Sequence, residues 1–165
     1  MRILAIDPGN DYSAYCIINE GLVPLDFDKV RNDELQRRIK EMTFSDDDRA
    51  VIEMIASYGM AVGREVFDTC RFVGRLEEQL SRRLQYPPDL LYRRQEKLHI
   101  CNDSRAKDAN IRRALIDRFA RHDLQNGKGT KKRPDWFYGF RADVWSAYAV
   151  AITYAETVLE VGKNG

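Results

Sequence analysis

Ile3-Leu4-Ala5-Ile6-Asp7-Pro8-Gly9-Asn10 is a short apolar run closed by an acid and two strong chain breakers. Four consecutive apolar residues bounded by a turn signal read as a buried β-strand, with Pro-Gly-Asn turning the chain away. Asp7 therefore stands where a buried strand meets a loop. Outward from this strand, residues 13–18 (Ser-Ala-Tyr-Cys-Ile-Ile) read as a second strand. After Gly21, Val23, Leu25 and Phe27 alternate with Pro24, Asp26 and Asp28, the period of a half-buried third strand. Short turns between them predict an antiparallel meander.

Beyond the meander, residues 32–42 read as a helix, followed by an acidic turn over 45–48. Ala50-Val51-Ile52 is a short buried strand that ends at Glu53. Between residues 62 and 84, Val66, Cys70, Val73, Leu76, Leu80 and Leu84 recur at the spacing of one helix face, and Pro87-Pro88 stops that helix. Leu90-Leu91-Tyr92 begins another strand, and Ser104 is the expected cap of a helix carrying Ile111, Leu115 and Phe119. A loop over 125–139 rich in Gly, Lys and Arg precedes a last helix, over 143–159. The order is three strands, helix, strand, helix, strand, helix, helix. It predicts an α/β fold, one domain over 1–165, with a mixed sheet covered by helices on both faces.

The net charge of +1 hides an asymmetry. Residues 82–133 hold 15 Lys or Arg against 6 Asp or Glu, a local charge of +9 that leaves −8 for the rest. One basic region beside an acidic one fits a surface for a polyanion and a place where carboxylates gather, although a pair of solvated helices would give the same count. Cys16, Cys70 and Cys101 are widely spaced with no CxxC pair, so reduced thiols are expected rather than a disulfide framework or a zinc site. The chain opens directly on a strand, with no signal peptide, and the apolar stretch 144–155 is far shorter than the roughly 20 residues that span a bilayer. A soluble, cytoplasmic protein is expected.

Glu53 is informative because it ends an apolar strand, where a charge is costly without a partner or a metal. If the strands carrying Asp7 and Glu53 are neighbours, both carboxylates lie at one sheet edge, and Asp143 at the start of the last helix can bring a third. Clustered carboxylates suit Mg²⁺, with Mn²⁺ as a substitute, and two such ions about 4 Å apart activate water and stabilise the leaving oxygen in phosphodiester hydrolysis. Each acid also has an ordinary role open to it: Asp7 as a turn residue, Glu53 as the partner of an arginine, Asp143 as a helix N-cap.

These residues resemble the RuvC family of crossover-junction endonucleases. Ile3-Leu4-Ala5-Ile6-Asp7-Pro8-Gly9 is similar to the family's opening strand and Val51-Ile52-Glu53 to its second catalytic strand. Arg105-Ala106-Lys107-Asp108-Ala109-Asn110-Ile111 resembles its basic motif before a helix, and Ala142-Asp143-Val144-Trp145-Ser146-Ala147-Tyr148-Ala149-Val150-Ala151 its closing catalytic helix. The set is ordered and spans nearly the whole chain, and the last segment looks closest to bacteriophage members. The resemblance implies an RNase H-like fold, a homodimer, and Mg²⁺-dependent nicking of four-way (Holliday) and other branched DNA. It also implies that Asp7, Glu53 and Asp143 are the catalytic metal ligands, for two ions per site.

One departure stands out. The family commonly has a further Asp three residues after the position of Asp143, where this chain has Ser146; Asp108 and Asp135 are candidate substitutes. Lys107, Arg112, Arg113, Lys128, Lys131, Lys132 and Arg133 are the candidate DNA contacts, of the phosphate-tracking kind that positions DNA without reading its sequence. Tyr58 and Met60 are candidates to wedge against unpaired bases. His99 and His122 stand in basic surroundings and are not assigned to catalysis. Two other readings use the same residues: an RNase H-like nuclease acting on RNA–DNA hybrid, and a non-catalytic binder of branched DNA. An actin-like ATPase, whose first phosphate loop also begins Asp-x-Gly, needs a duplicated domain and a second glycine-rich loop that 165 residues do not provide.

Overall fold

The structure is a computed structural model and describes residues 1–160. The strands β1 (Arg2–Asp7), β2 (Tyr12–Asn19) and β3 (Pro24–Arg31) form the expected meander. Helix α1 (Asn32–Glu41), strand β4 (Arg49–Met54), helix α2 (Arg64–Ser81) and strand β5 (Asp89–Tyr92) follow. Helices α3 (Arg93–Cys101), α4 (Asp108–Phe119) and α5 (Val144–Thr157) complete the chain. The sheet order is β3-β2-β1-β4-β5, antiparallel across the first three strands and parallel from β1 through β4 to β5.

Strand β1 is central because four of its six residues are buried apolar side chains that point alternately to the two faces. Ile3 and Ala5 enter a core closed by α4 and α5, whereas Leu4 and Ile6 enter a second core closed by α1 and α2. Helices thus cover both faces, as the element order predicted. In α5, Val144 and Trp145 and nearly every later residue are buried, so this helix lies flat on the middle of the sheet. Among the described residues no helix is long and apolar enough to cross a membrane.

Three details depart from the sequence reading. Helix α3 was not anticipated. It begins immediately after β5, with the Tyr92 N–H donating to Gln95 Oε1 (2.8 Å), and ends where Asn102 takes the left-handed conformation (φ 52°). Ser104 accordingly lies in the turn between α3 and α4 and caps nothing; α4 starts at Asp108, with the Lys107 N–H donating to Asn110 Oδ1 (2.9 Å). On α2 the buried stripe is Thr69, Phe72, Val73, Leu76 and Leu80, rotated from the predicted one, so that Cys70 and Val66 sit at its margin and Phe67 faces outward.

Candidate active site

The parallel pairing of β1 with β4 aligns Ile6 with Ile52, so the next residues, Asp7 and Glu53, still paired with Ala14 of β2 and Leu91 of β5, stand side by side at the same edge of the sheet. Strand β1 stops at Asp7, before Pro8-Gly9, and β4 runs one residue past Glu53, to Met54. Helices α4 and α5 run in the same direction: near their far ends Arg118 and Glu156 form an ion pair, and both begin at the Asp7 edge. Asp143 precedes the first residue of α5 and Ser146 lies in its first turn, where its hydroxyl hydrogen-bonds Asp7. The three acids singled out in the sequence therefore converge on one edge, as their positions at element ends implied.

Helix α3 adds residues that the sequence reading missed. Arg93, its first residue, sends Nη1 to within 2.9 Å of Glu96 Oε2 and 3.6 Å of Glu53 Oε2, while Nη2 donates to Asp108 Oδ1 at 2.6 Å. Glu96 has no solvent exposure at all and is the sole buried residue of α3. A buried acid carries no hydrophobic signal, but Gln95 at the third helical position and Asn102 at the end were usable helix boundaries.

One guanidinium and several acids make an electrostatically unsettled site. Burial, and then repulsion from Glu53 and Asp143, holds the Asp7 carboxyl well above the usual range, against the opposing pull of Arg93 and of the Ser146 hydroxyl. Burial, with Glu96 as the foremost repelling charge, pushes Glu53 up to about 8. Glu96 rises to about 8 chiefly through burial, with Asp7 and Asp108 repelling it. A buried cluster of carboxyls whose negative charge is under-compensated is a configuration that a divalent cation stabilises. The donor set is all carboxylate oxygen, which fits a hard ion such as Mg²⁺ or Mn²⁺ and not a thiol- or imidazole-preferring one.

Of the ordinary roles open to these acids, the arginine pairing of Glu53 is realised, whereas Asp143 stands at the N-cap position without a side-chain cap hydrogen bond. Glu53 pairs with Arg93, and Asp143, half exposed at the helix start, is ion-paired to Lys29 of β3. Among the described residues, the acids do not converge into a preformed metal-ligand group; Arg93 and Lys29 hold their outer oxygens instead. Of the candidate substitutes for a fourth acid, Asp135 is excluded. Its carboxylate accepts the backbone N–H groups of Arg121, His122, Asp123 and Trp136, which bind the turn after α4 together and hold its pKa well below the carboxylate range despite desolvation. Asp108 lies beside the cluster with its side chain 81% exposed.

The candidate DNA-contacting cations divide into two groups. Lys107 is exposed at the start of α4, near the acids, and Arg112 stacks 4.6 Å over the ring of Trp145 in α5. Lys131, Lys132 and Arg133 are exposed on the Asp135-tied turn beyond the other end of α4, with Lys128 half-buried at its base. Lys107 and this turn flank α4, whose twelve residues rise roughly 18 Å, whereas Arg112 sits within the helix and the turn folds back onto its middle through Leu124 and Gln125. Arg113 is committed to Asp117 and to the carbonyls of Leu124 and Gln125. Beside the acids, Tyr58 shares a shallow depression with Arg93, Arg94, Lys97 and Ser104. Its own side chain and that of Met60 are 58% and 71% exposed. His99 hydrogen-bonds Glu156 and His122 the Arg133 carbonyl, both away from the acid edge.

A central strand with an acid at its end, a parallel neighbour with a second acid and a closing helix that brings a third define the RNase H-like class of fold. Within that class the architecture is that of RuvC. The solved structure of Thermus thermophilus RuvC superposes with a TM-score of 0.67 over 98% of each chain at 13% identity. T. thermophilus RuvC in complex with Holliday junction substrate superposes with a TM-score of 0.64, over 94% of this chain and 93% of that one, again at 13% identity. No family model matches the sequence, and no curated protein matches it. At this identity the likeness establishes the fold, and activity has to be argued from the site.

Proposed function

We propose that this protein is a divalent-cation-dependent endonuclease that resolves four-way DNA junctions and cuts other branched DNA. The observation that carries the reading is the placement of Asp7 and Glu53 side by side at the edge of β1 and β4, with Asp143 delivered by α5. Asp7, Glu53 and Asp143 would hold the ions, Mg²⁺ or Mn²⁺ and two per site. When bound, such ions polarise the scissile phosphate and lower the pKa of the attacking water. The protein's own part is to fix the acids on rigid strand and helix ends, to keep Asp7 and Glu53 largely out of bulk water, and to hold Asp7 through the Ser146 hydroxyl. Arg93 neutralises part of the charge and keeps Glu53 and Glu96 together.

The RuvC fold supports the junction as substrate, because one of the superposing RuvC structures holds a Holliday junction. The exposed cations at both ends of α4 supply phosphate contacts without base readout, which suits selection by DNA shape. A homodimer follows from the chemistry, since paired nicks in a two-fold junction come most simply from a two-fold enzyme. The exposed Val62, just before α2, and Phe67, in its first turn, are available for that contact. The test is cleavage of synthetic four-way junctions with Mg²⁺, mapping both nicks, beside an RNA–DNA hybrid duplex. Symmetrical paired nicks that Asp7→Asn abolishes without loss of binding are expected. Cutting of the hybrid alone would replace the junction reading with a ribonuclease one, and binding without cutting would make the protein a non-catalytic junction binder.

A further inference from the structure

We propose that Glu96 is a fourth acidic ligand of the divalent-cation site, supplying from α3 the carboxylate that Ser146 does not supply from α5. The proposal rests on the metal-site reading given above and names a residue that reading does not require.

The placement of Glu96 is hard to account for by packing. The apolar residues of helix α3 that meet the core, Ile100 and Cys101, lie at its C-terminal end and are only partly buried, and the one residue it buries fully is this carboxylate. Burying a charge costs several kcal/mol unless it is fully paired. Here the pairing is incomplete: Oε2 accepts from Arg93 Nη1 at 2.9 Å, but Oε1 is buried with no hydrogen-bond partner. An arginine can satisfy both oxygens of a carboxylate through its two-pronged fork. Arg93 does not, because its second prong is engaged by Asp108 at 2.6 Å. A buried acceptor therefore stays open beside the acid cluster.

Glu96 is also within reach of the other ligands. Its Oε2 and Glu53 Oε2 lie around the same nitrogen, 2.9 Å and 3.6 Å away, so they cannot be further apart than those two distances combined. Ligands of one ion, bound at about 2.0–2.1 Å, or of two ions about 4 Å apart fall within that span. The topology brings the elements together: α3 leaves β5, the parallel neighbour of β4, at the Glu53 edge and packs against α5. An ion there would draw on β1, β4, α3 and α5. Asp108, mostly exposed and bound to Arg93, holds the arginine in place instead of reaching the ion.

The test is Mn²⁺ binding to the intact chain without DNA, measured by calorimetry and by electron paramagnetic resonance of the free ion. Wild type is compared with Asp7→Asn, Glu96→Gln, and Glu96→Gln combined with Ser146→Asp. Loss of Glu96 should weaken Mn²⁺ binding about 10-fold or more, since even outer partners of metal ligands cost about 10–100-fold. Ser146→Asp should recover most of that loss. A buried ion pair of purely structural purpose would leave the affinity unchanged and would gain nothing from Ser146→Asp; either result overturns the proposal. If Glu96→Gln does not fold by circular dichroism, Glu96→Asp keeps a partner for Arg93 while withdrawing the oxygens by one methylene. A folded Glu96→Asp variant with wild-type affinity refutes the role, and one with about 10-fold weaker binding supports it. If Asp7→Asn also binds Mn²⁺ like wild type, the metal-site reading itself fails, a result separable from failure of Glu96 alone.

Discussion

Glu53→Gln should make the metal-free protein more stable at high pH, even as it removes a residue needed for activity. The Glu53 carboxyl titrates near 8 in the folded chain, chiefly because it is buried and faces Glu96, against an ordinary value of 4.5. The folded state thus holds a proton that the unfolded chain releases, and wild-type stability falls as pH rises from about 4.5 to about 8. Each pH unit across that window is worth about 1.4 kcal/mol, which sets a ceiling of roughly 4–5 kcal/mol. Sharing of the proton with Asp7 and relaxation of the cluster reduce this to about 1–3 kcal/mol. The amide keeps the shape and leaves Arg93 to Glu96 and Asp108. For a domain of this size that gain is about 3–10 °C in Tm. The assay is thermal unfolding with a chelator at pH 5, 7 and 9. The two proteins should be nearly equal at pH 5 and diverge progressively above it, with the variant melting higher. Equal or lower stability of Glu53→Gln at pH 9 would refute the claim that the cluster is under-compensated.

Replacing Lys131, Lys132 and Arg133 together by Ala should weaken junction binding and lower the slope of log affinity against log salt by about 0.9 for each phosphate no longer neutralised. The cleavage rate at saturating protein should not change, because this turn lies beyond the far end of α4; a large fall in that rate would place it at the active site. Gly129→Ala should disrupt the same turn, since Gly129 sits at φ 65° and an added Cβ would stand 2.3 Å from the Arg133 carbonyl oxygen. Increased proteolytic cleavage within 121–135 would report it, and an unaltered digestion pattern would contradict it. Leu76→Ala, on a fully buried α2 side chain, should cost about 2–5 kcal/mol by denaturant unfolding, with Mn²⁺ affinity unchanged; a loss of affinity would mean that the α2 core and the site are coupled.

Much of this protein was written locally. The meander, the strand carrying Glu53 and the apolar closing helix all follow from residue periods and breakers, and these fix the mixed sheet with helices on both faces. The sequence alone also marked Asp7 and Glu53, because an acid at the end of an apolar run is conspicuous without knowledge of its neighbours, and Asp143, because it opens the last helix. What it did not disclose was α3. That helix presents only a short apolar edge, Ile100 and Cys101 at its end, and its one fully buried residue is Glu96, a carboxylate placed there by the approach of β1, β4 and α5. Nor did it separate the cations, since Lys107 and Lys131 look alike in a charge count and lie at opposite ends of a helix in space. Element boundaries are set by neighbouring residues along the chain; which charges meet is set by how the elements pack, and the chemistry at the Asp7 edge depends on that packing.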